Sequence, residues 1–319
     1  MNLFMNRKQP ALGVSSCLLG MNVRYDGKNE HHCFISSVLN KHFELLPVCP
    51  EVAIGMGVPR APIQLRILDS ELHAIGVNNH AQDVTTALQA YGQQQTIHAR
   101  AICGYVFKSR SPSCGVSDTR IISDHGVSAG PGIYAREILR ALPWLPVIDE
   151  TQLDMAEKKD NFLERVFSLA RWHQSVAAPV TVSCLMNFYT THYLILAAHS
   201  DKANEALSAT ISVLRDPLSH EVIDDYLEQF HNYLKMPLTH KDHIRILTKL
   251  QQRLAAVISC DEKERLDIEI KSYRENPGEL VLPLQHIKRL ADSYNLYDLA
   301  RQTYINPTPA EIALRYCKQ

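Results

Sequence analysis

Twelve of the thirteen glycines in this 319-residue chain lie at or before Gly132, and only Gly278 lies beyond. Glycine serves tight turns and close backbone approaches, and it weakens helix interiors. A glycine-dense first half beside a glycine-poor second half therefore predicts two architectures in one chain. An α/β domain is expected over residues 1–150 and an all-helical domain over 151–319. The length is sufficient for each to bury its own core.

Within the first half, short apolar runs alternate with helical periods. Ala11–Ser15, Leu45–Val48, Ala101–Phe107 and Pro146–Asp149 read as strands. Phe34–Leu46, Ala81–Ala99 and Tyr134–Leu142 carry apolar residues at helical spacing. Gly55–Pro62 reads as a loop over the sheet edge, and Gly115 to Gly132 is a polar, glycine-rich stretch. Alternation of this kind implies a parallel, Rossmann-like sheet with helices on its faces. From Thr151 onward the period is helical throughout, with candidate helices at 161–173, 182–198, 202–213, 219–236, 240–257, 262–276, 284–294 and 309–316.

Three of the strands run directly into cysteine-bearing turns. Cys17 follows the first, Cys49 the second, and Cys114 stands in Lys108-Ser109-Arg110-Ser111-Pro112-Ser113-Cys114-Gly115 after the third. If the strands share one sheet, the three thiols converge at its carboxyl edge, where parallel sheets place their sites. Eight cysteines without a Cys-x-x-Cys pair argue against a local zinc ribbon. Thiolates on three loops are the ligands an iron–sulfur cluster requires, and three in place of four leave one iron open as a Lewis acid. Cys33 and Cys103 are rivals for a fourth ligand, and scattered buried thiols are the plainer alternative. Glu51 is either a general acid or base or a salt-bridge partner. Ser111 and Ser113 either hold a water, donate a hydrogen bond or attack, or they serve the turn alone.

Charge sets further bounds. A formal net charge of −1 excludes a general polyanion binder, so nucleic acid would need a local patch. Two candidates exist. Arg24, Arg60, Arg66, Lys108 and Arg110 lie near the site loops, with Asp26, Asp69 and Asp118 as available partners. Lys241, Arg245, Lys249 and Arg253 recur every four residues and form a stripe on one helix, able to track a phosphate backbone or simply to face solvent. No apolar run reaches membrane-spanning length, and Met1–Lys8 lacks a signal-like apolar core, so a cytoplasmic protein without membrane contact is expected.

Ser16-Cys17-Leu18-Leu19-Gly20, Val23-Arg24-Tyr25-Asp26-Gly27, Cys49-Pro50-Glu51-Val52 and Ser111-Pro112-Ser113-Cys114-Gly115 occur in that order. On these motifs residues 10–150 resemble the thiouracil desulfidase family. Residues 160–316 resemble the all-helical domain often fused to it, through His192–Ser200, Tyr273-Arg274, Val281–Leu284 and Tyr304–Pro307. The fused form resembles the bacterial tRNA 4-thiouridine desulfidases. The resemblance implies a [4Fe–4S] cluster on Cys17, Cys49 and Cys114 with one open iron, a catalytic glutamate at Glu51, and a catalytic serine at Ser111, with Ser113 in reserve. It implies non-redox removal of sulfur from a thiolated uracil, with tRNA or a free thiopyrimidine as partner. Arg24, Asp26, Lys108 and Arg110, with the stripe, are the candidate substrate or RNA contacts. The resemblance departs at His192, where the family carries lysine, and at Ile244–Lys249. A cluster-bearing sensor or RNA-binding protein without turnover is the alternative of a different class, and Glu51 beside an open iron argues against it.

Overall fold

Strand β1, Ala11–Ser15, is buried along its whole length and sits between two parallel partners. On one side is β2, Glu44–Val48, and on the other is a strand that follows much later in the chain. A computed structural model of the chain describes residues 9–176 and 179–316. Met1–Lys8, considered above as a signal candidate, lies outside them.

The chain divides into two compact units, Met1–Phe162 and Leu163–Gln319. In the first, β2 is followed by a single helical turn, α1 (Pro50–Ala53), and by a hairpin of β3 (Ile63–Leu68) and β4 (Glu71–Gly76). Helix α2 (Thr85–Ala99) then leads to β5 (Gly104–Phe107). A second hairpin, β6 (Thr119–Ser123) and β7 (Gly126–Gly130), precedes α3 (Ile133–Ala141), β8 (Val147–Asp149) and α4 (Glu150–Leu153). One sheet has the order β2-β1-β5-β8 and is parallel throughout. Parallel strands covered on both faces are near-continuous apolar runs, and β1 and β5 are buried at every position. Strand β2 lies on the sheet edge, which is why it tolerates Pro47. The connections leave β1 on one side and arrive at β5 on the other, so the topological switch point is the crevice beyond the carboxyl ends of β1 and β5. At Gly13 a Cβ would meet the Tyr105 ring at 2.6 Å. Glycine there lets Tyr105 from β5 lie directly against β1.

The second sheet, of order β4-β3-β6-β7, corrects the sequence reading. Gly115–Gly132 contains a hairpin, where the sequence reading assigned no strand. Strand β7 is exposed along nearly all its length and carries no apolar alternation, so the strand signal is missing from its sequence. Phe34–Leu46 is also not one helix. A π turn over Phe34–Val38 and a 3-10 turn over Leu39–Lys41 bury Ile35 and Leu39, and Leu45 and Leu46 already belong to β2. Helix α2 begins at Thr85, four residues later than the apolar period alone implies.

The second unit is helical. Helix α5 (Ala156–Ser175), inside which the boundary between the units falls, is followed by α6 (Val182–His199), α7 (Asp201–Val213), α8 (His220–Tyr233), α9 (His240–Leu254), α10 (Cys260–Glu275) and α11 (Val281–Ser293). Thr181, Ser219, Thr239 and Ser259 cap four of these helices through their side-chain oxygens, which sets the starts within two residues of those expected from the sequence. His192 is buried on α6 and its Nδ1 donates to the Phe188 carbonyl at 2.8 Å. No helix among the described residues is long and apolar enough to cross a membrane.

Candidate active site

Each cysteine is delivered by the end of one strand. Cys17 lies in a 3-10 turn, Ser16–Leu19, directly after β1. Cys49 precedes Pro50, the first residue of α1, where proline's missing N–H costs nothing and its fixed φ starts the helix. Cys114 ends the turn that follows β5. The backbone N–H of Lys108 donates to Ser15 Oγ at 2.9 Å, tying the ends of β1 and β5 together. All three cysteines open onto one cavity of about 400 Å³, within the usual range for small-molecule sites. Cys33 is exposed and Cys103 is buried beside β5, and neither lines this cavity.

The thiols are unpaired as disulfides. Burial pushes the Cys17 thiol up to about 11, against the nearby Lys108 charge that draws it down. Burial also raises Cys49, and burial with the Glu51 charge raises Cys114 well above the usual thiol range. Such thiols are poor nucleophiles near neutral pH, and a metal that binds them displaces their protons. Their mutual influence places them in one electrostatic neighbourhood. Among the described residues, no three His, Cys, Asp or Glu side chains close on a point where a single ion would sit. The three cysteines that line the cavity are soft donors, the ligand type that iron–sulfur clusters take.

Two carboxylates flank the thiols, each held by a cation and a serine. Glu51 Oε2 accepts from Arg60 Nε at 2.8 Å, and Glu51 Oε1 accepts from Ser113 Oγ at 2.8 Å. Arg60 is fixed in turn by the carbonyls of Gly57 and Val23, both at 2.9 Å. Glu150 does not itself line the cavity but holds two residues that do: it accepts from Lys108 Nζ, from Ser109 Oγ at 2.6 Å and from the Ser109 N–H at 2.8 Å. Burial pushes the Glu150 carboxyl up, and these hydrogen bonds more than offset it, so it is held below the usual carboxylate range. The Glu150 arrangement was not read from the sequence. Its only signal there is position, since Glu150 follows the end of β8 as the cysteines follow theirs.

The two serines differ in placement. Ser113 is fully buried and its hydroxyl is spent on Glu51. Ser111 lines the cavity, and its Oγ accepts the backbone N–H groups of Ser113 at 3.3 Å and Cys114 at 3.1 Å. Among the basic candidates, Arg24, Lys108 and Arg110 line the cavity together with Arg60. Arg24 pairs with Glu30 at 2.7 Å and, more loosely, with Asp26 at 3.6 Å, which itself does not line the cavity. Arg66 pairs with Asp124 outside it. Arg110 is the one cation lining the cavity whose side chain has no acidic partner among the described residues. Its φ of 55° is uncommon for a bulky residue, and the Asp118 carboxylate holds its backbone N–H at 2.9 Å. The stripe lies on α9 of the second unit and does not line the cavity. There, Arg245 pairs with Asp201 and Asp242, Lys249 with Asp201, and Arg253 with Asp298, while Lys241 is exposed.

Residues 12–150 match the sequence model of a family described as 2-thiouracil desulfurase. Residues 193–309 match that of a family described as a protein of unknown function, DUF1722. A curated relative, the uncharacterized protein YbgA of Escherichia coli strain K12, is 27% identical over 161 residues, covering 49% of this chain and 94% of that protein. A solved structure, the [4Fe-4S]-dependent thiouracil desulfidase TudS, is 29% identical, with 46% of this chain and 94% of that chain covered and a TM-score of 0.37.

Proposed function

We propose that this chain, which belongs to the 2-thiouracil desulfurase family through residues 12–150 and carries a DUF1722 domain over residues 193–309, removes sulfur from a thiolated uracil by hydrolysis. The observation that carries the reading is the single cavity that gathers Cys17, Cys49 and Cys114 around Glu51. The three thiols would hold a [4Fe–4S] cluster. When bound, that cluster supplies an iron without a protein ligand, a Lewis acid toward thiocarbonyl sulfur. Glu51 takes a proton from the attacking water and returns it to the departing sulfur. The water oxygen bonds to the ring carbon, the carbon–sulfur bond breaks, and sulfur leaves as hydrosulfide with no change in oxidation state. Ser113 and Arg60 hold the carboxylate in place, and Ser111 faces the substrate as hydrogen-bond donor or attacking oxygen.

The unpaired Arg110 on the cavity wall favours a substrate bearing phosphate, as 4-thiouridine in tRNA or a thiouridine nucleotide does. The pairing of the α9 stripe supports a second reading, a free thiouracil, since three of its four cations already face acids. The test is anaerobic reconstitution, with iron and sulfide assayed before thiouracil, 4-thiouridine monophosphate and thiolated tRNA are offered in parallel. About four irons per chain and sulfide release from at least one substrate are expected. Faster turnover of the phosphate-bearing substrates, lost in Arg110→Ala, supports the first reading, and equal rates on the bare base support the second. An absence of bound iron with all three cysteines intact overturns the proposal.

A further inference from the structure

Tyr25 is the large aromatic side chain on the cavity wall, and 44% of it is exposed. An aromatic ring left open at a concave site is a ready contact for a flat ligand. This one is also held in place. The Tyr25 carbonyl accepts the Arg60 backbone N–H at 2.9 Å, and the Val23 carbonyl accepts from Arg60 Nη2 at 2.9 Å. The same arginine that holds Glu51 therefore anchors the segment carrying Tyr25. A turn from Arg24 to Gly27, closed by a 3.0 Å hydrogen bond and by Gly27 at a φ of 73°, fixes the other end. The Arg24 guanidinium lies 5.8 Å from the ring centroid and is itself braced by Glu30. A cation over one face of the ring and an immobilised backbone reduce the ordering that ligand binding on the other face would otherwise require.

We propose that Tyr25 is the stacking partner of the substrate's pyrimidine ring and the residue that selects a planar heterocycle over other thiocarbonyl compounds. This rests on the thiouracil reading for its substrate, and the product, uracil, provides a test that needs no turnover. Stacking on an aromatic side chain carries a large share of base affinity irrespective of which base is bound. Calorimetry of uracil binding to the reconstituted full chain is expected to show about a tenfold weaker Kd in Tyr25→Ala, recovered in Tyr25→Phe and Tyr25→Trp. Iron content and the visible spectrum should match wild type in all three variants. With thiouracil as substrate, KM in Tyr25→Ala should rise by a similar factor while kcat changes less. Uracil binding by Tyr25→Ala at wild-type affinity, or a loss confined to kcat, would overturn the assignment. A wild-type protein that binds uracil through Tyr25 and releases no sulfide would sink the desulfidase reading and leave the stacking role standing.

Discussion

At the scale of single residues, Glu51 is distinguished by having both oxygens committed before any substrate arrives. Ser113 and Arg60 fix its orientation, so a water held near it meets a carboxylate that need not reorganise. Glu51→Gln keeps the shape and removes the proton acceptor. Its expected effect is a fall of about 10²–10⁴ in kcat with iron content unchanged, read from sulfide release. Ser113→Ala leaves Glu51 Oε1 without its donor and should cost roughly tenfold, since it alters position and not chemistry. Equal losses in the two variants would mean that Ser113 takes part directly. The position of Glu51, two residues after a strand-end cysteine, left a general acid or base and a salt-bridge partner both open, and the structure pairs it with Arg60 on the cavity wall. Its partners were not legible in the sequence, because Arg60 arrives from the following loop and Ser113 from 62 residues away, and only the fold brings them together.

At the scale of elements, the Cys114 turn depends on a contact that only glycine allows. Gly115 N–H and Thr119 Oγ1 both donate to the Ser111 carbonyl at 2.9 Å, and this stitches the turn to the start of β6. A Cβ on Gly115 would lie 1.9 Å from Thr119 Oγ1 and 3.0 Å from the Ser111 carbonyl oxygen. Gly115→Ala must therefore separate β6 from the turn, at a cost of about 1–3 kcal/mol typical of overpacking. The expected outcome is reduced iron retention and a lower melting temperature of the first unit. Full iron content with unchanged melting would show that the turn tolerates the shift. The convergence of three strand-end cysteines was readable because parallel sheets place their sites at one edge. The β6–β7 hairpin that supports Cys114 was not, because an exposed edge strand such as β7 has no buried face to impose a pattern on its sequence.

Across the whole molecule, the cavity chemistry is assembled entirely by the first unit, while the second buries ionisable groups of its own. Glu164 on α5 accepts from His199 at 2.8 Å and from Arg315 at 3.1 Å, with all three side chains almost fully enclosed. Burial pushes its carboxyl up, and the Arg315 and His199 charges more than offset this, holding it well below the usual carboxylate range. Its contribution to stability is therefore present above about pH 4.3, the unfolded value, and is lost only on further acidification. His192 and His231 behave differently. Burial, aided by the Arg171 charge and opposed by the Phe188 carbonyl, pushes His192 down to about 3. Burial, with Arg165, His192, His173 and Lys235 facing it, lowers His231 further still. Both stay neutral in the folded chain while the unfolded chain binds protons from about pH 6.5 downward, so each removes roughly 1.4 kcal/mol of stability per pH unit below that value. Between about pH 6.5 and pH 4.5 the unfolded chain takes up protons at these two histidines while Glu164 stays ionised in both states, which separates the two effects. Urea unfolding followed by circular dichroism should show the helical signal lost at lower denaturant at about pH 5 than at pH 7. His231→Phe removes two ring nitrogens that have no hydrogen-bond partner among the described residues and keeps an aromatic ring beside Phe230. That variant should show a shallower pH dependence, by roughly 1.4 kcal/mol per pH unit, and an unchanged slope would place the acid sensitivity elsewhere.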